Sequence, residues 1–111
     1  LAPYADRILE LSFARTEITG AELADLAAMP NLQKLHLERS KVGDEGFVDF
    51  ASRYPELRYL NLSSTGVGDA TLQELGGNEE LDKLYLFETK VSADALRAFL
   101  ETRMTLVPPG G

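Results

Sequence analysis

His36 is the only histidine of the chain, and Glu38 follows it two residues later. On an extended segment residues two apart lie on one face, so the carboxylate could orient the imidazole. Ser12 falls beside His36 when the internal repeats of the chain are aligned. A hydroxyl, a base and an orienting acid are the parts of nucleophilic hydrolysis. That chemistry also needs oxyanion donors and a pocket that excludes water, and the pattern supplies neither, so a solvated histidine on an open strand face is expected. A second arrangement suits recognition: Tyr59, Tyr85 and Phe87 recur at strand spacing in the last two repeats. A third is acidic. Asp44 and Asp69 hold equal offsets in their repeats, which could begin a calcium ladder. Calcium takes about six to eight converging oxygens, and the equivalent residues Gly20 and Ala93 interrupt the series. Helix capping is the expected role of both aspartates. The absence of cysteine removes disulfides, thiolate metal sites and cysteine nucleophiles. No metal, cofactor or catalytic residue is expected, and the redox compartment stays open.

The elements that must position these residues are repeats. Apolar residues at Ile8, Leu11, Phe13 and Ile18, with Thr16 among them, return as Leu32, Leu35, Leu37, Ser40 and Val42. They return again as Leu57, Leu60, Leu62, Thr65 and Val67, and once more as Leu81, Leu84, Leu86, Thr89 and Val91. The starts are 24 or 25 residues apart. Counting from each start, positions 1, 4 and 6 alternate inward along a strand. The Thr or Ser at position 9 can bond the backbone where the chain leaves the strand. Position 11 returns to the core. Positions 16 and 19 pair Leu23 with Leu26, Phe47 with Phe50, Leu72 with Leu75 and Leu96 with Phe99, a spacing that closes the core with one helix face. Thr19-Gly20-Ala21-Glu22 fits a capping box, Asp44, Asp69 and Ser92 suit the later helix starts, and Gly76-Gly77 suits a helix end. Pro30 and Pro55 precede the turns into the next strands.

A period of this length and spacing resembles a leucine-rich repeat, a strand-plus-helix unit stacked into a curved solenoid. The predicted fold is α/β, a right-handed solenoid with a concave parallel sheet and convex helices. Its four repeats cover about residues 8–31, 32–56, 57–80 and 81–103 of one 111-residue domain. The ends, 1–7 and 104–111, read as caps or linker: Leu1 to Asp6 would cover the first repeat, and Met104 to Val107 would form a short closing strand. Val107-Pro108-Pro109-Gly110-Gly111 has the composition of a domain end. About three repeats are needed for stability, so four should fold alone with little to spare. Exposed end strands could pair between copies.

The written unit LxxLxLxxTxVxDxxLxxL resembles the Thr-type repeats of bacteria, especially those of large extracytoplasmic proteins in Planctomycetes and Bacteroidetes. Leu81-Asp82-Lys83-Leu84-Tyr85-Leu86-Phe87-Glu88-Thr89-Lys90-Val91 is similar to the last repeat of segments attached to c-type cytochrome domains there. The resemblance implies an extracytoplasmic or periplasmic setting and a larger parent. Haem in those relatives is held by motifs outside the repeats, and this chain carries none of them. The units differ from the longer Asn- or Cys-bearing repeats of ribonuclease inhibitor and from the shorter ones of bacterial ubiquitin-ligase effectors.

Function in a solenoid sits on the outward strand positions of the concave face. The candidate contact residues are Tyr59, Asn61, Tyr85 and Phe87, with Lys34, His36 and Lys83 at the rim. Neighbouring strands lie about 4.8 Å apart, so the first four would make one patch, and tyrosine is favoured at binding hot spots. The competing expectation is cross-strand packing, at roughly 0.2–1 kcal/mol per pair. The leading function is a non-enzymatic protein-binding module. The others are an accessory domain docking on a neighbouring domain of the same chain, and a glycan-binding platform. With a net charge of −7 and no Lys/Arg cluster, nucleic acid and anionic membranes are not expected partners. No apolar run nears the about 20 residues of a membrane span, and no signal peptide opens the chain. The first residue is not Met, which leaves room for a removed signal or upstream region.

Overall fold

The computed structural model describes residues 6–105, with the side chains of 103–105 set aside. Four short strands, β1 (Glu10–Ser12), β2 (Lys34–His36), β3 (Tyr59–Asn61) and β4 (Lys83–Tyr85), form one sheet in sequence order. Every pairing is parallel and keeps repeat register: Leu11, Leu35, Leu60 and Leu84 are aligned. Between the strands run α1 (Gly20–Ala24), a 3-10 turn (Asp44–Phe47) with α2 (Phe50–Arg53), and α3 (Asp69–Leu75). After β4 comes α4 (Ala93–Thr105).

The core lies between sheet and helices. Leu32, Leu37, Leu57, Leu60 and Leu62 are fully buried, as are Leu23, Phe47, Phe50 and Leu75 from the convex side. Burying each such side chain stabilises by roughly 1.5–3 kcal/mol. Alternation places these residues inward and leaves strand positions 3 and 5 facing out.

All four turns off the strands use the expected hydroxyl. Thr16, Ser40, Thr65 and Thr89 each donate to the carbonyl three residues back, at Phe13, Leu37, Leu62 and Leu86, over 2.6–2.8 Å. The residue just before each of them is left-handed: Arg15, Arg39, Ser64 and Glu88 have φ of 57–61°. No glycine occupies this position, so nothing in the sequence flags it.

Three expectations are corrected. Phe47 and Phe50 do not share a helix. Asp49 turns left-handed at φ 56° between them, and the two rings meet at 4.8 Å, tilted by 44°. Gly46 accounts for the tight entry, because a Cβ there would stand 3.0 Å from Gly20 O and from Leu23 Cδ2. Leu96 does not close the core, since it is 37% exposed at the end of the stack. The closing strand at Met104 is replaced at its first two residues by α4, which runs through Thr105. The rest of that segment, and Leu1 to Ala5 of the other cap, lie outside the described residues. Within that cap Asp6 offers its carbonyl to Asn31 Nδ2 at 2.7 Å.

Arg53 ties the first two repeats together on the convex side. Nη1 donates to Leu23 O at 3.1 Å and Ala24 O at 3.3 Å, Nη2 donates to Gly46 O at 2.9 Å, and the guanidinium lies 5.2 Å from the Tyr54 ring centre. These carbonyls lie at the end of α1 and in the 3-10 turn, where regular helix bonding runs out. Arg53→Ala should therefore lower stability by about 2 kcal/mol, read as a fall in urea midpoint with an unchanged slope. A midpoint equal to wild type would show that water replaces the guanidinium.

Candidate functional site

The outward faces of the four strands carry a single diagonal track. Glu10 on β1 accepts a hydrogen bond from His36 Nε2 on β2 at 2.7 Å. The His36 ring lies 5.0 Å from that of Tyr59 on β3, and Tyr59 lies 5.4 Å from Tyr85 on β4, each pair tilted by about 50° (47° and 52°). The track is diagonal because register places Tyr59 opposite Lys34 and Lys83, and Asn61 opposite His36 and Tyr85. Diagonal neighbours remain within reach of long rings.

Of the residues expected to form one patch, Tyr59 and Tyr85 touch. Phe87, 75% exposed, continues the surface beyond β4, and its N–H donates to Ser63 Oγ at 3.2 Å. Asn61 serves its own turn: Oδ1 accepts from Ser63 N at 3.1 Å. Lys34 and Lys83 are exposed on either side of Tyr59. His36, placed at the rim by sequence, belongs to the ring track itself. Its hydrogen-bond partner Glu10 is not among the residues that the sequence singles out, although the signal is there: position 3 of one repeat lies diagonal to position 5 of the next.

The hydrolytic arrangement does not form. His36 Nε2 is engaged by Glu10, and among the described residues no hydrogen bond joins His36 to Glu38 or Ser12. Ser12 Oγ accepts from Ala14 N at 3.3 Å, and Glu38 Oε1 is buried without a hydrogen-bond partner among the described residues. Tyr54 offers no alternative base, since burial holds its phenol above the ordinary range, with Arg53 acting the other way. Among the described residues no three His, Cys, Asp or Glu gather as metal ligands. No described helix is long and apolar enough to cross a membrane.

The two aspartates cap helices, but not their own. Asp44 Oδ1 reaches into the next repeat and accepts from Gly68 N at 2.8 Å, Thr71 N at 3.2 Å and Thr71 Oγ1 at 2.6 Å. Asp69 likewise accepts from Ser92 N at 2.7 Å and Ser92 Oγ at 2.9 Å. The reason is local. The N-cap of α3 is Gly68, which has no side-chain oxygen, so the preceding repeat supplies one. Only α1 has the self-contained box, with Thr19 and Glu22 bonded reciprocally. Both carboxylates are thus spent on stacking the repeats.

A leucine-rich-repeat family model matches residues 28–51 and 55–76, the second and third repeats. No curated protein matches the chain. Among solved structures the chain is similar to one titled leiomodin-1 actin-binding site 2, with 14% identity and a TM-score of 0.67. The match covers 87% of this chain and 64% of that one, so this chain spans under two thirds of its length. At such identity the likeness concerns architecture, and the architecture is that of a leucine-rich-repeat solenoid.

Proposed function

We propose that this leucine-rich-repeat solenoid is a non-catalytic module that binds a protein on its concave face through Tyr59, Tyr85 and Phe87, with His36, Asn61, Lys34 and Lys83 around them. The observation that carries the reading is the exposure of large rings where the fold has no use for it. Tyr85 is 46% exposed and Phe87 75%, and neither ring is part of the hydrophobic core. Contiguous exposed aromatics mark interaction sites more often than isolated ones do. The tilted rings favour a protein partner over a sugar, because they do not present a flat stacking platform. The leiomodin-1 chain with the similar fold is an actin-binding site by its title, which supports protein binding as a class and leaves actin to that protein. The same face would serve if these repeats are the recognition segment of a longer extracytoplasmic chain, the context that Leu81–Val91 suggests.

The test is a comparison of faces. Wild type, Tyr85→Ala with Phe87→Ala, and the convex control Val48→Ala (Val48 is 59% exposed) are immobilised, and proteins recovered from host extract are quantified. Because both rings are largely solvated, the double variant should melt within about 1 kcal/mol of wild type. A partner retained by the control and reduced at least about tenfold by the double variant supports the reading. Equal recovery on all three would overturn it.

A further inference from the structure

We infer that the C-terminal end of the solenoid takes the N-terminal end of a second copy of this chain, head to tail, with the sheet continuing in register. The end of the stack is apolar. Leu84 and Leu86 are only half-buried, whereas their equivalents Leu60 and Leu62 are fully buried by the repeat that follows them. Leu96 is 37% exposed and Leu100 51%, and with these leucines they border a cleft of about 370 Å³.

The backbone there is prepared for another strand. At each of the three junctions the position-6 N–H bonds the position-5 carbonyl of the next repeat: Phe13 to His36 at 2.8 Å, Leu37 to Asn61 at 3.0 Å, Leu62 to Tyr85 at 2.9 Å. The position-8 N–H does the same to position 7, from Arg15 to Glu38, Arg39 to Ser63 and Ser64 to Phe87. On β4 the equivalent donors, Leu86 N and Glu88 N, have no acceptor among the described residues. By the same repetition Ser12 and Ala14 present the matching carbonyls at the opposite end.

Charge selects this occupant. Continuing the register would set Arg7 beside Glu80, Glu10 beside Lys83, Arg15 beside Glu88, and Glu17 beside Lys90. These four pairs are opposite in sign, and a fifth, Asp6 beside Glu79, is like-signed. Two of the four recur inside the chain, Glu10 beside Lys34 and Glu17 beside Lys41, whereas Arg15 there neighbours Arg39 and Arg7 neighbours Asn31, so the Arg15–Glu88 and Arg7–Glu80 pairs are particular to the end-to-end junction. Side chains at this position do meet across a junction: Ser64 Oγ donates to Glu88 Oε1 at 2.9 Å. An end that fits the other end but not itself is a heterologous contact, which builds open rows instead of closed dimers.

The experiment is a charge exchange followed by sedimentation over a concentration series, at about 0.15 M salt to damp the mutual repulsion of acidic chains. One variant carries Glu88→Arg and Lys90→Glu, the other Arg15→Glu and Glu17→Lys. Each substitution installs a residue type that another repeat already carries at that position, so both variants should fold; circular dichroism confirms it. Wild type should grow in weight-average mass with concentration. Each variant alone should associate about tenfold more weakly, and an equimolar mixture should recover wild-type behaviour, because both junctions are complementary again. Wild type that stays monomeric throughout, as it would if residues 1–5 or 106–111 cover an end, overturns the inference. So does a mixture that fails to recover. Neither result touches the concave-face reading, whose variants lie outside these exchanges.

Discussion

Phe50→Ala should destabilise the protein by about 4 kcal/mol, the largest single loss expected from one side chain. The ring is fully buried and stands at 4.8 Å from both Phe47 and Tyr54, in the middle of the three-ring cluster that fills the convex side of the second repeat. Removing it forfeits the transfer energy of the ring and leaves a cavity that the short α2 turn is poorly able to collapse. A solenoid repeat contacts only its neighbours, so damage to the second repeat also uncouples the first from the third. Against a total stability of roughly 5–15 kcal/mol for a domain, such a loss removes between about a quarter and four fifths of it. Urea unfolding followed by circular dichroism reads the effect. Phe87→Ala, the same chemical change at a 75% exposed site, should move the midpoint by less than about 0.5 kcal/mol. If both variants lost equal stability, the assignment of Phe50 to the core and Phe87 to the binding face would be wrong.

The strand half of each repeat was legible in sequence because a period-2 apolar pattern, once it recurs every 24 or 25 residues, admits one stacking register. Leu35 beside Leu60 and Tyr59 between Lys34 and Lys83 follow from it directly. The helical half was less legible. Leu23, Phe47, Leu72 and Leu96 hold equal positions, yet one repeat replaces its helix with a 3-10 turn and a single α-turn, because the Asp49 backbone turns left-handed. Aspartate tolerates that conformation but does not announce it. The ring track was half legible. Tyr59 and Tyr85 stand out as aromatics, whereas the contact of His36 with Tyr59 runs along a diagonal that direct register pairing does not display. The capping aspartates are hard to read for a related reason. A carboxylate beside its own helix start reads as that helix's cap, and only the glycine at Gly68 hints that the oxygen must come from the preceding repeat.

That borrowed cap carries the second large effect. Asp44→Ala should cost about 3 kcal/mol, since it removes the acceptor of the Gly68 N–H and the Thr71 hydroxyl and leaves the Thr71 N–H only its bond to Gly68 O, and both of those residues are buried. Asp44→Asn keeps one acceptor oxygen and loses the charge, so it should cost about 1 kcal/mol. The two substitutions differ in their response to acid. Burial pushes the Asp44 carboxyl up, but the Thr71 hydroxyl, the Gly68 and Thr71 amides and the nearby Lys90 charge together hold it below its ordinary value. A carboxyl depressed in the folded state binds its proton more weakly there than in the unfolded chain. Its stabilising share is therefore complete above the unfolded value, near pH 4, and is lost as pH falls through the lower folded value. The gap between wild type and Asp44→Asn should accordingly be constant from pH 7 to about pH 5 and narrow below about pH 4. Asp69, whose oxygens meet the exposed Ser92, serves as the control, because water can replace an exposed cap at little loss. A gap that held steady down to pH 3 would mean that the amide and the carboxylate cap α3 equally well, and that geometry alone, without charge, joins the second repeat to the third.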